Sequence, residues 1–223
     1  NIFNDFFDKS VDQINKPERP YAAGRLQAKD MVISGVLAYG SGIFLSVFVG
    51  FEGVIIVLST SVLLMVYNVK AKRTVLTGNL LISLIGGMAI LYGGIAGGSV
   101  RNAAIPALFA VIFHFGREIF KDIEDKNADM RSGIVTFPVK YGEGKAVVLG
   151  ISVFVLLILL TPMPYIFLNY SLLYLITVLV GVDILLIVLF QRYLVSRRIE
   201  HLTQLNKLMK VGMGFGLLAL MLK

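Results

Sequence analysis

At 223 residues, 57% of them hydrophobic and only 16% charged, the chain lies far from the roughly 25% charged share of soluble domains, which excludes an ordinary water-soluble globule. The lack of cysteine excludes disulfides and thiolate metal sites, so any metal must be held by oxygen or imidazole. A net charge of +7 suits either nucleic acid or the inner loops of a polytopic membrane protein, and the distribution of the basic residues decides between them.

The first stretch, NIFNDFFDKSVDQINKPERP, carries Asp5, Asp8 and Asp12. It shows no secretory signal peptide and does not begin with Met; it begins inside a motif, so an N-terminal part leading into it is expected to be missing. Apolar runs approaching the ~20 residues of a bilayer crossing follow at 31–49, 53–67, 79–96, 103–116, 146–161, 171–191 and 206–222. They predict an all-α, polytopic membrane helix bundle with seven spans visible, forming one domain over 1–223. The shorter runs, 53–67 and 103–116, are expected to recruit flanking residues.

The connections 1–30, 68–78, 117–145 and 192–210 hold 19 of the 21 Lys and Arg residues, and the opposite side has only Arg101 and Lys223. By the positive-inside rule the first set is cytoplasmic, so nucleic acid is not needed to explain the charge. Of the 14 acidic residues only Glu52 belongs to an outer connection, while Asp183 lies within a span. The function is therefore expected on the cytoplasmic side of the membrane.

Asp5, Asp8 and Asp12 share the spacing i, i+3, i+7 with Asp122, Asp125 and Asp129, which sets each trio along one helical face. Glu118 extends the second row by one turn. Such rows concentrate like charge and destabilise a helix unless cations or protons neutralise them. One acidic row reads most simply as a solvated face, but two at the ends of spans on one membrane side read as a nest for Mg²⁺, which binds through a few carboxylates plus substrate phosphates. A diphosphate also needs cations, and YNVKAKR supplies Lys70, Lys72 and Arg73 at another span end. Arg19 and Arg131 are further candidates, with Lys72 and Arg19 favoured; for most basic residues topology is reason enough.

Asn4 to Asp12, NDFFDKSVD, resembles the first motif of the UbiA superfamily of intramembrane prenyltransferases, NDxxDxxxD, and NKPERP resembles its sequel. REIFKDIEDKNADMRSGIVTFPVKYG is similar to the second motif, DxxxD at Asp125 and Asp129, and YNVKAKR to the Tyr-then-Lys-Arg segment between them. Within the superfamily, REIFKDIED and NKPERP look most like archaeal digeranylgeranylglyceryl phosphate synthases. The resemblance implies a nine-helix bundle in the cell membrane, open sideways to lipid, with the active site on the cytoplasmic side beneath a cap formed by about 1–30, 68–78, 117–145 and 192–210; on that count this chain lacks the first helix and most of the second.

It further implies Mg²⁺ held by Asn4, Asp8, Asp125 and Asp129, with Asp5, Asp12 and Asp122 as additional ligands or their supports, and diphosphate gripped by Arg19, Lys72, Arg73 and Arg131. The activity implied is transfer of a geranylgeranyl group from its diphosphate to the free hydroxyl of geranylgeranylglyceryl phosphate, giving the second ether bond of an archaeal lipid. Its partners would be an isoprenyl diphosphate, a lipid acceptor and the bilayer. An aromatic or tetrapyrrole acceptor is the alternative within the family.

Phe6, Phe7, Tyr67, Tyr92 and the glycines of GGMAILYGGIAGG suit either a tail channel or plain helix packing, and packing is favoured for the glycines. Asp183, costly inside a span, is expected to be a protonated or hydrogen-bonded structural group. His114 is read as an interior hydrogen-bonding group and His201 as a solvated loop residue. Outside the enzymes, an ion-coupled transporter also carries acids and Gly-rich spans, but its site would sit near the bilayer midplane rather than at one interface.

Overall fold

The computed structural model describes residues 2–15 and 17–222, apart from the side chains of Ile14, Asn15 and Arg73; among the described residues only helices and turns occur. Asn1, Lys16 and Lys223 lie outside the described residues. Two short helices, α1 (Ile2–Phe7) and α2 (Lys9–Asn15), lead to α3 (Ala28–Val47), α4 (Phe51–Val69), α5 (Thr77–Ala96) and α6 (Val100–Arg131). Then come α7 (Phe137–Tyr141), α8 (Glu143–Leu160), α9 (Met163–Leu168), α10 (Leu172–Val178), α11 (Leu185–Ser196) and α12 (Ile199–Met221). A 3₁₀ turn, Ala71–Arg73, links α4 to α5, and a π-helical stretch, Leu179–Ile184, joins α10 to α11.

Among the described residues, six stretches are long and apolar enough to cross a membrane: Ala28–Val47, Phe51–Val69, Thr77–Ala96, Val100–Arg131, Glu143–Leu168 and Leu172–Ser196. The chain is a multi-pass, all-α membrane protein, as its hydropathy predicts. The seventh expected span, 206–222, falls in α12 and is not among the six, because Glu200, His201, Lys207 and Lys210 crowd its first half. The expected span 103–116 is only the first half of α6. At 1.5 Å per residue its 32 residues extend about 48 Å, well beyond the ~30 Å hydrocarbon layer. The charged half beyond Arg117 is the end that must leave it, and this carries the second acidic row to the membrane boundary.

Lipid is as apolar as leucine, so helices in it associate through close packing and buried polar bonds rather than through a hydrophobic drive. The core follows that rule. Phe120, Phe154, Leu157, Leu186, Leu205 and Met209 are fully buried where α6, α8, α11 and α12 meet. The Phe154 ring presses on α6 where Gly116 stands, 2.6 Å from where a side chain there would begin, and meets Phe113 edge-on at 5.3 Å. By contrast α3 leaves Val36, Leu37, Phe44 and Val47 exposed, as a lipid-facing helix does.

Asp183 is buried in the π-helical stretch and hydrogen-bonds the Thr161 hydroxyl at 2.8 Å, while the Tyr174 hydroxyl donates to the Thr161 carbonyl at 2.7 Å. These bonds tie the end of α8 to α10, in keeping with the structural role expected of Asp183. His201, expected in a solvated loop, instead lies in the first turn of α12 and hydrogen-bonds Ser196.

Candidate active site

The first acidic row straddles the join of α1 and α2. The backbone N–H of Asp8 still donates to Asn4 O at 2.9 Å, and that of Asp12 to Asp8 O at 2.8 Å. The helical path therefore survives the join and keeps the three carboxylates on one face. Asp8 and Asp12 are buried. Arg19 Nη1 bridges the row, donating to Asp5 Oδ1 at 2.9 Å and Asp12 Oδ2 at 2.8 Å. Partial burial works against the Arg19 charge, but the hydrogen bond and charge of Asp12, with Asp5 and Asp8, raise its pKa above the ordinary value.

The remaining member, Asp8, is ion-paired with Lys72, whose Nζ also donates to Asn4 Oδ1 at 3.4 Å. Lys72 belongs to the 3₁₀ turn after α4, and that turn lies directly on the start of α5. A side chain at Gly78 would begin 2.9 Å from Ala71 O and 3.2 Å from Lys72 Cα. The glycine lets the turn approach and so fixes where the lysine begins.

Lys72 also lines a polar cavity of about 90 Å³, with Asp122, Asp125 and Asp129 on the opposite wall and Tyr67, Asn79, Lys121 and Thr136 around it. Asn79 Nδ2 donates to Asp122 Oδ2 at 2.8 Å, and Thr136 Oγ1 to Asp129 Oδ2 at 3.2 Å. Glu118 lines the inner end and is held by Arg117 at 2.6 Å and Lys121 at 3.5 Å. Asp5, Asp8 and Asp12 are not among the residues lining this cavity. The link between the rows is Lys72, which touches Asn4 and Asp8 and faces the acids of α6.

Directly beneath lies a second, apolar cavity of about 280 Å³, lined among others by Gly86, His114, Phe109, Phe113 and Met213. Ile82 and Glu118 border the polar cavity, and Gly86, one turn later on α5, and His114, one turn earlier on α6, border the apolar one. The charged cavity and the apolar one thus lie about one helical turn apart along α5 and α6.

Several expected residues lie elsewhere. Arg131 is exposed at the end of α6 and does not line the polar cavity, because the helix ends there and turns away at Ser132 and Gly133. The side chain of Arg73 lies outside the described residues. Tyr67 lines the polar cavity rather than a tail channel, and Tyr92 lines neither cavity. Phe6 stacks on Tyr21 at 5.9 Å and Phe7 is exposed. Asn79 and Gly78 belong to the site although no motif pointed to them, the signal available being a polar residue and a glycine in the first turn of the apolar helix α5; Lys121 and Thr136 lie within the second-motif stretch but were not singled out.

The donor set is entirely oxygen, from carboxylates, the Asn4 amide and a hydroxyl, which suits a hard cation. Among the described residues no three acids converge on one point; they are spread along two rows. That arrangement fits Mg²⁺, which keeps several waters and takes one or two carboxylates per ion beside substrate phosphates.

Residues 1–210 match the UbiA prenyltransferase family. The chain belongs to this family. It is 34% identical over 211 residues to the digeranylgeranylglyceryl phosphate synthase of Sulfolobus acidocaldarius, covering 94% of this chain and 75% of the relative. Against the protein of that name from Methanocaldococcus jannaschii the identity is 32% over 219 residues, covering 98% and 77%. A solved structure described as that of digeranylgeranylglyceryl phosphate synthase in membranes superposes with a TM-score of 0.80 at 33% identity, over 99% of this chain and 78% of that one. The chain is a membrane prenyltransferase, and the transporter reading falls. Enzymes of this family generally use Mg²⁺ to bind the diphosphate.

Proposed function

We propose that the protein transfers a geranylgeranyl group from geranylgeranyl diphosphate to the free hydroxyl of geranylgeranylglyceryl phosphate, forming the second ether bond of an archaeal membrane lipid. The observation that carries the reading is an acid- and lysine-lined cavity followed, one turn along the shared helices α5 and α6, by an apolar one, an order that suits a diphosphate with a prenyl chain. The name shared by the relatives above supports the glyceryl phosphate acceptor.

In this reading Asn4, Asp8, Asp125 and Asp129 hold Mg²⁺, with Asp5, Asp12 and Asp122 as further ligands or their supports. Bound there, Mg²⁺ neutralises the diphosphate and stabilises the charge that grows on it as its bond to the allylic carbon breaks. Lys72 binds the diphosphate directly, as a point charge between the rows. Arg19 orients Asp5 and Asp12 and adds positive charge, and Arg73, beside Lys72 in the same turn, completes the diphosphate set. Asn79 and Thr136 orient Asp122 and Asp129 without consuming their charge. The electron pair of the broken C–O bond leaves with the diphosphate; the acceptor oxygen forms the new C–O bond and gives up its proton. The apolar cavity holds the chain and excludes the water that would otherwise capture the allylic cation.

Residues 1–223 act as one domain, with the segments 1–30, 68–78, 117–145 and 192–210 on the cytoplasmic side, where their excess of Lys and Arg would keep them. The test incubates purified protein with Mg²⁺, geranylgeranyl diphosphate and either geranylgeranylglyceryl phosphate, 4-hydroxybenzoate or chlorophyllide, and identifies products by mass spectrometry. The diether phosphate is expected. Product formed only with an aromatic or tetrapyrrole acceptor discards the ether-lipid reading and leaves the family intact.

A further inference from the structure

Glu124 sits inside the acidic half of α6 but takes no part in the polar cavity. At 100° per residue it points about 100° away from Asp125, about 160° from Asp122 and about 140° from Asp129. Its partners are on α12, some eighty positions along the chain. Thr203 Oγ1 donates to Glu124 Oε1 at 2.5 Å, and Asn206 Nδ2 donates to Glu124 Oε2 at 2.6 Å and to the Phe120 carbonyl at 3.3 Å. Asn206 is buried, and fully buried Leu205 and Met209 flank it on α12. Both carboxylate oxygens are therefore engaged by neutral donors from one helix, and one amide grips both the side chain and the backbone of α6.

Glu124 is half-buried, and it stands in a helix already loaded with like charge. Packing alone does not require it, since leucine at 124 would bury more apolar surface. What the clamp adds is a fixed rotation: in lipid, helix register rests on packing and on such interhelical bonds. Side chains reach about 5 Å from a helix axis, so a 20° turn of α6 would move the cavity carboxylates by about 2 Å. That is enough to spoil a set of metal-ligand distances, which tolerate about 0.2 Å.

We infer that Glu124 is a positioning residue: held by Thr203 and Asn206, it fixes the rotation of the end of α6 and so the place of Asp122, Asp125 and Asp129 in the polar cavity. The inference rests on the reading of those acids as part of the Mg²⁺ site. The experiment titrates Mn²⁺ into wild-type, Asn206→Leu, Thr203→Val and Thr203→Ser proteins with a non-reacting thio analogue of geranylgeranyl diphosphate, reading free Mn²⁺ by electron paramagnetic resonance, beside thermal melting and the Mg²⁺ dependence of transfer.

Asn206→Leu is expected to bind Mn²⁺ about tenfold more weakly, as removal of a ligand-orienting partner commonly does. Thr203→Val should show a smaller loss and Thr203→Ser, which keeps the hydroxyl, none; the Mg²⁺ concentration for half-maximal transfer should shift in the same order, without tracking the melting midpoints. Variants that bind Mn²⁺ as tightly as wild type overturn the inference alone. A wild type that binds no Mn²⁺ removes the metal reading and the inference with it. Should Asn206→Leu fail to fold, the near-isosteric Thr203→Val decides.

Discussion

Asp5, Asp8 and Asp12 are held by cations of the protein itself, Arg19 and Lys72, whereas Asp122 and Asp129 are held by an amide and a hydroxyl, from Asn79 and Thr136. The two rows carry the same charge at the same spacing, so the difference lies in how each is made tolerable. Close carboxylates stay ionised only where positive charge is near. In the first row arginine and lysine supply it. In the second, neutral donors aim the oxygens without quenching them, and the row faces a cavity that it shares with Lys72. A diphosphate with its cations completes such a wall. The lysine is the hinge of the comparison, because it serves one row as counter-ion and the other as facing charge.

Removing one acid from either row is the strongest way to break that comparison. Asp8→Ala and Asp125→Ala are each expected to lower transfer by about 10³-fold or more, the scale on which charge stabilisation in the transition state is lost, with melting midpoints near wild type. Activity that survives in one row and dies in the other would show that the rows are not partners. Next, Lys72→Gln should cost about 10²-fold. Lys72→Arg should recover little of it, since a planar fork does not replace a compact ammonium between two carboxylate rows. Single-turnover rates read both.

Asn79→Leu sharpens the second row alone. It leaves Asp122 unaimed, and the Mg²⁺ concentration for half-maximal transfer is expected to rise about tenfold, with expression unchanged. Arg19→Gln should have the smallest effect. Its ion pairs are partly exposed, and such pairs contribute about 0.2–1 kcal/mol, so a few-fold rise in the KM for the prenyl diphosphate is expected. A loss as large as that of Lys72→Gln would move Arg19 from support to direct contact with substrate.

The bundle was legible because membrane spans are long apolar runs, and α3, α4 and α5 fall where hydropathy puts them. α6 was read only in part. Its second half is too polar to count as a span, and only the i, i+3, i+7 spacing of its acids marks it as the same helix. α12 misled in the opposite direction, since its apolar second half looks like a complete span once the charged first half is set aside. Of the site, the two rows and Lys72 were visible as motifs, and Arg19 as an Arg-Pro sequel that folds back onto Asp5 and Asp12. Asn79 was not, because nothing in its own neighbourhood shows that it meets Asp122 forty-three positions away; Thr136 and Gly78 act over only a turn or two of chain, on Asp129 and on the Ala71–Lys72 turn, but no spacing marks them. Arg131 failed for the reverse reason: its place after the second motif suggests phosphate, but the end of α6 points it outward.

The most direct test of the meeting of the two rows is a crystal structure of the full-length protein with Mn²⁺ and a thio analogue of geranylgeranyl diphosphate, using manganese anomalous scattering to locate the ions. The account predicts peaks within ligand distance of Asp8 on one side and of Asp125 or Asp129 on the other, with Lys72 on the diphosphate and the prenyl chain descending past His114. A diphosphate bound instead among Arg192, Arg197 and Arg198, with no manganese near either row, would contradict it.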